Sequence, residues 1–167
     1  MSEKKWYILR TNPKAEKKVA LRLTTLGIEN YLPLRKQIKS WSDRKKLVSE
    51  VLFKSFVFVY LTEKERQNVF EVPGIVRYLY FAGKIATLSE KEIEHIKYFC
   101  SLDDIKIDEN YEKGDQVEVI NGQLIGLKGE LICSTSGNRL KIYIPVLDCF
   151  ANITISKTEV RKIQVAV

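Results

Sequence analysis

The stretch that most constrains this chain is residues 52–61, where Phe53, Phe56, Val57, Phe58, Val59 and Tyr60 form the most apolar run in the sequence. Aromatic and β-branched side chains at that density suit a strand inside a sheet. An interior strand needs partners, and the flanking sequence offers them. Residues 6–10 and 29–33 read as short strands, and residues 76–81, entered through the turn pair Pro73-Gly74, as another. Asn12 and Pro13 supply an N-cap and a first helical residue, and Gly27 a stop. A helix over 13–26 is therefore expected, with Ala15, Val19, Leu23 and Leu26 on its buried face. Thr62 with Glu65 and Ser89 with Glu92 fit the capping box, in which hydroxyl and carboxylate satisfy free amides at a helix start, and so mark two further helices. The polar segment 39–46 reads as an exposed loop or hairpin tip. This order of elements predicts an α+β, ferredoxin-like layer pair with the helices packed on one face of the sheet.

Near residue 102 the pattern changes. Residues 102–110 are acidic and lack helical periodicity, as a linker would. From Lys113 onward, short apolar alternations are broken by Gly114, Gly122, Gly126, Gly129, Gly137 and Pro145, the pattern of a small all-β barrel. The expected division is 1–101, a linker at 102–111, and a barrel at 112–167. So short a second module would be marginal alone.

Charge narrows the class of partner. The net charge of +7 is uneven: residues 1–60 hold 14 Lys or Arg against 5 Asp or Glu, residues 61–110 hold 7 against 10, and residues 111–167 hold 7 against 6. A localised basic excess favours a polyanion such as nucleic acid. Lys14, Lys18 and Arg22 recur four apart on one helix face, where like charges cost a few tenths of a kcal/mol per pair and gain nothing without an anionic partner. Arg44, Lys45 and Lys46 add to them from the polar loop, and Trp41 beside them offers a surface for base stacking.

No stretch approaches the roughly 18 apolar residues of a membrane span, and residues 1–5 lack the apolar core of a signal peptide. A cytoplasmic protein without membrane association is expected. Cys100, Cys133 and Cys149 are odd in number and widely spaced, so reduced thiols are expected. The single histidine, His95, falls inside a predicted helix beside Ile93 and Ile96. With no phosphate-binding loop, no nucleophile elbow and no zinc-spaced cysteine pair, neither a catalytic residue, a metal site nor a cofactor is expected.

Two motifs carry a family resemblance. Lys113-Gly114-Asp115-Gln116-Val117-Glu118-Val119, followed by Gly122, Gly126 and Gly129, is similar to the KOW motif of SH3-like barrels. Trp6-Tyr7-Ile8-Leu9, Glu16-Lys17-Lys18-Val19, residues 52–59, Val72-Pro73-Gly74-Ile75-Val76 and residues 88–93 resemble the N-terminal (NGN) domain of the NusG family in order and spacing. Residues 27–34 and 41–46 resemble its specialised branch, notably the UpxY-type antiterminators of polysaccharide operons.

The resemblance implies a monomeric transcription elongation factor without bond chemistry. It implies docking of an apolar patch on the RNA polymerase clamp, carried onto Tyr7, Phe56, Phe58 and Phe81, with Trp6 and Phe53 as neighbours. The family's Phe-Pro-Gly-Tyr is here Phe53-Lys54-Ser55-Phe56. Lys14, Lys18, Arg22, Trp41, Arg44, Lys45 and Lys46 would meet upstream or non-template DNA, with nascent RNA as the alternative. Leu124, Ile125 and Leu127 occupy the loop used towards a ribosomal small-subunit protein or the termination factor Rho. Some members refold the second module into helices, which the β-branched run 142–155 with Pro145 inside it disfavours here. The competing class is a KOW-containing ribosome-associated RNA-binding protein. It would place basic residues in the C-terminal half, which the charge distribution opposes.

Overall fold

The computed structural model describes residues 3–40, 44–103, 105–108, 114–134 and 137–163. The chain divides into two compact units, Met1–Cys100 and Ser101–Val167.

In the first unit, β1 (Lys5–Thr11) and β5 (Phe56–Leu61) form the antiparallel centre of the sheet. Trp6 lies opposite Tyr60, Tyr7 opposite Val59, Ile8 opposite Phe58 and Leu9 opposite Val57. β2 (Asn30–Tyr31) flanks β5, while β6 (Ile75–Tyr78) and β9 (Thr87–Leu88) share the far edge of β1. Alternation along β1 and β5 sends Tyr7, Leu9, Val57, Val59 and Leu61 to one face. There Val19 and Leu23 of α1 (Glu16–Thr25) and Val69 of the 3-10 helix Glu63–Glu71 complete one core.

Trp6, Ile8, Phe58 and Tyr60 take the other face, and α2 (Glu90–Ser101) covers it. The Tyr31 ring sits 6.4 Å from Phe58, beneath the Lys97 ammonium at 5.9 Å. Burial and a hydrogen bond to Cys100 push the Tyr31 hydroxyl well above the ordinary tyrosine pKa. The expectation of helices on a single face is therefore corrected. The run at 56–61 is apolar on both of its faces, so each needs a cover.

Local geometry sharpens several boundaries. α1 begins at Glu16 rather than Pro13, because Lys14 at φ 64 interrupts the helical path and Ala15 becomes the cap. Its end is a Schellman turn: Gly27 at φ 73 donates to Thr24 O and Ile28 to Leu23 O. Leu26 lies beyond the last turn, exposed rather than buried. The Thr62–Glu65 box forms as expected, yet heads a 3-10 helix. Residues 52–55 are a turn ahead of β5 rather than its first residues. The described ends of the polar segment, 39–40 and 45–46, pair at the end of a hairpin of β3 (Leu34–Ser40) and β4 (Lys45–Val51). The expected strand 76–81 is split, and β7 (Tyr80–Phe81) pairs with β8 (Lys84–Ile85) across the left-handed pair Ala82 and Gly83.

The second unit is a six-stranded antiparallel sheet in the order β10-β14-β13-β12-β11-β15. Its strands are β10 (Lys106–Asp108), β11 (Asp115–Val119), β12 (Lys128–Ser134), β13 (Gly137–Ile144), β14 (Cys149–Thr154) and β15 (Val160–Lys162). The closed barrel expected from the glycine spacing is not formed. Among the described residues nothing pairs β10 with β15, and each of these three-residue end strands bonds one neighbour only. The stretch expected to be linker contributes β10, and Ile105 within it is 1% exposed. An apolar residue in an acidic segment has been taken into packing. Residues 142–155 are extended in β13 and β14, with Pro145 in the turn between them.

Candidate protein and nucleic-acid surfaces

The six aromatic residues assigned to polymerase contact do not form one exposed patch. Trp6, Tyr7, Phe53 and Phe58 are buried, and Phe58 is completely so. For Trp6, Tyr7 and Phe58 burial follows from the double-faced sheet, whereas Phe53 is buried in the turn ahead of β5. Trp6 packs on Tyr60 with ring centroids 5.0 Å apart, and Tyr7 meets Tyr78 edge-on at 5.8 Å with the Arg66 guanidinium over its own ring. Tyr78 donates to Arg66 O, and burial raises its pKa. Phe56 is half-buried at the start of β5, opposite Arg10. Phe81 is 48% exposed at the tip of the β7–β8 hairpin.

Sequence reasoning missed Tyr80, which is 56% exposed beside Phe81. The signal was present in Ala82-Gly83, a turn pair that ends the strand and lifts both rings to a hairpin tip. A short projection carrying two exposed aromatic side chains is suited to an apolar pocket on a protein partner.

The basic candidates in the described residues, Lys14, Lys18, Arg22, Arg44, Lys45 and Lys46, are all exposed. Arg22 also reaches Pro73 O through Nη1 at 3.3 Å, which ties α1 to the turn before β6. Arg44 immediately precedes β4, which Lys45 and Lys46 begin. Trp41 lies outside the described residues. His95 is buried on α2, and burial followed by the Lys91 charge holds its pKa below the ordinary value.

The turn replacing Phe-Pro-Gly-Tyr is anchored from α1. The buried Glu16 carboxylate accepts the Ser55 N–H at 2.7 Å, and Ser55 takes φ 64. A non-glycine residue in that region costs about 1–2 kcal/mol, whereas glycine loses about 0.5–1 kcal/mol in chain entropy. Ser55→Gly should therefore stabilise the first unit by up to about 1 kcal/mol, read as a higher urea midpoint at unchanged slope. A lower midpoint would show that the serine hydroxyl contributes more than the backbone loses.

In the second unit the candidate loop is tightly held. Gly126 donates to Val119 O at 2.8 Å, Val119 to Leu127 O at 2.8 Å, and Leu127 to Leu124 O at 3.0 Å. Leu124 is buried at 4% exposure and Leu127 is half-buried, which leaves Ile125, 54% exposed, as the side chain the loop presents. A three-residue contact surface is thus corrected to a single apolar tip, because the glycine turn folds Leu124 back onto the sheet.

Known proteins share this arrangement. The family model described as transcription termination factor nusG matches residues 4–97. The transcription termination/antitermination protein NusG of Bacillus subtilis (strain 168) is 23% identical, over 96% of this chain and 99% of its own. A solved structure described as domain interaction in Thermotoga maritima NusG is similar in fold, with a TM-score of 0.59, 21% identity, and coverage of 97% of this chain and 98% of the other.

Proposed function

The chain belongs to the NusG family of transcription termination factors, and from that premise we propose that it binds RNA polymerase and suppresses pausing and termination. The observation that carries this reading is the end-to-end correspondence with a termination/antitermination protein, both units included. A transcription factor of this kind acts by position and contact, which fits surfaces built from aromatic tips and lysines.

In this reading the β7–β8 hairpin docks on the polymerase clamp through Phe81 and Tyr80, with Phe56 at the margin. Trp6, Tyr7, Phe53 and Phe58 shape the body that holds the hairpin rather than touching the partner. Lys14, Lys18, Arg22 and the basic end of the β3–β4 hairpin lie along upstream or non-template DNA. Their phosphate contacts would position the protein without reading sequence. The second unit serves as a KOW module that offers Ile125 to a ribosomal small-subunit protein or to Rho. The protein acts as a cytoplasmic monomer of the operon-specific, UpxY-like type.

The test is single-round transcription with purified polymerase on a terminator template carrying the leader of the operon beside the gene. Added full-length protein should raise read-through and shorten pauses. Unchanged or reduced read-through there would overturn the antitermination reading.

A further inference from the structure

We propose that Arg10 and Arg77 form a clamp for a carboxylate of the protein that docks on the first unit, so that the partner's docking element carries an acidic side chain beside an apolar one. This rests on the reading that the first unit docks on polymerase, and names the chemistry of that contact. The two arginines lie directly opposite each other on β1 and β6, and Phe56 of β5 lies opposite Arg10 on its other side. Strand alternation puts the three side chains in one row, on the face that carries Trp6, Ile8 and Phe58. Those three are buried under α2, but the cover stops short of the row: Arg10 and Arg77 are exposed and Phe56 is half-buried.

Within the sheet nothing balances this pair. Like charges directly opposite each other destabilise an antiparallel ladder, and β1, β5 and β6 contain no Asp or Glu. Neither guanidinium has a hydrogen bond, ion pair or ring contact among the described residues. Other cations of the first unit are met by carboxylates: Arg66 by Glu63 at 2.6 Å, Lys97 by Glu94 at 2.8 Å and Lys39 by Glu50 at 3.6 Å. Directly opposed residues place their Cβ atoms about 4.5–5.5 Å apart. Two guanidinium forks at that spacing converge on one carboxylate, each offering it parallel N–H donors.

The surroundings favour a protein carboxylate over a phosphate backbone. The sheet lies between this row and α1, whose basic residues include Lys18 and Arg22. Toward the other side, β6 runs on through Leu79 into the β7–β8 hairpin, where Tyr80 and Phe81 are exposed. Arginine among aromatic side chains is the composition of protein-binding hot spots, from which lysine is depleted. A second copy of this face would set arginine against arginine, so the occupant is a different, acidic surface.

The test measures binding of the full chain to purified bacterial RNA polymerase, free of nucleic acid, across a salt series. Arg10→Gln/Arg77→Gln should unfold at the wild-type urea midpoint or above it, because the repulsion is gone. It should nevertheless bind about fivefold or more weakly, with a shallower salt dependence. Arg10→Glu/Arg77→Glu sets like charge against the partner's carboxylate and should bind more weakly still. Lys64→Glu/Lys128→Glu makes the same change in net charge at exposed lysines outside the row and should bind as wild type does. A lowered midpoint in the glutamine variant would show a structural role and overturn the clamp, as would a control that loses as much as the arginine variants. A loss seen only for duplex DNA, followed in parallel by anisotropy, would assign the arginines to phosphate and overturn it too. Wild-type binding that both arginine variants share would remove the clamp alone, whereas no binding by wild type would remove the polymerase reading and the clamp with it.

Discussion

Truncating Phe58 to alanine should destabilise the first unit by about 3–5 kcal/mol and leave much of it unfolded at moderate temperature. Phe58 is fully buried, lies opposite Ile8 in the sheet and packs its ring on Tyr31 at 6.4 Å. The cavity would open on the face covered by α2, between neighbours fixed by backbone pairing that cannot collapse into it. Urea unfolding followed by tryptophan fluorescence would measure the loss. Phe81→Ala, at an exposed tip, should stay within about 0.5 kcal/mol of wild type. This contrast separates two aromatics that sequence alone treats alike. A cost below about 1 kcal/mol for Phe58→Ala would contradict the packing described.

Gly129→Val should disrupt the second unit while sparing the first. A Cβ at Gly129 would lie 2.6 Å from Lys141 O and 3.1 Å from Leu140 Cδ1. Backbone oxygen cannot retreat there, because Lys141 on β13 pairs with Glu130 on β12 and with Asn152 on β14. Overpacking of this kind costs about 1–3 kcal/mol, and valine adds further atoms against buried Leu140. For a sheet whose end strands are three residues long, that loss is a large share of what holds it. Amide spectra should lose the dispersion of residues 115–162 and keep that of residues 5–100. Retained dispersion in both units would show that β12 and β13 tolerate separation.

Much of the first unit was legible because its signals are local. Residues 56–61 of the apolar run, the Gly27 stop and both capping boxes specify structure within a few residues and appear where the chain predicted them, while residues 52–55 turn instead of extending the strand. What was illegible depends on which face of the sheet is covered. Trp6 and Phe58 read equally well as surface or core, and only the placement of α2 decides for core. The start of α1 was misplaced because Lys14 adopts a conformation that its residue type disfavours. Ile105 and β10 were hidden because a long-range pairing with β14, rather than local propensity, recruits an acidic segment. Glycine spacing in the second unit marked its turns, yet closure of a sheet depends on its end strands, and spacing carries no information about those.

The most direct measurement is the binding of the full chain to purified bacterial RNA polymerase, comparing wild type with Tyr80→Asp/Phe81→Asp. Both side chains are exposed at a hairpin tip, so the variant should unfold at the wild-type urea midpoint. Wild type should bind the enzyme, and the folded double variant should lose at least about tenfold in affinity, as when an aromatic anchor is removed from a pocket. A folded wild type that does not bind, or a variant that binds as tightly as wild type, would contradict the account.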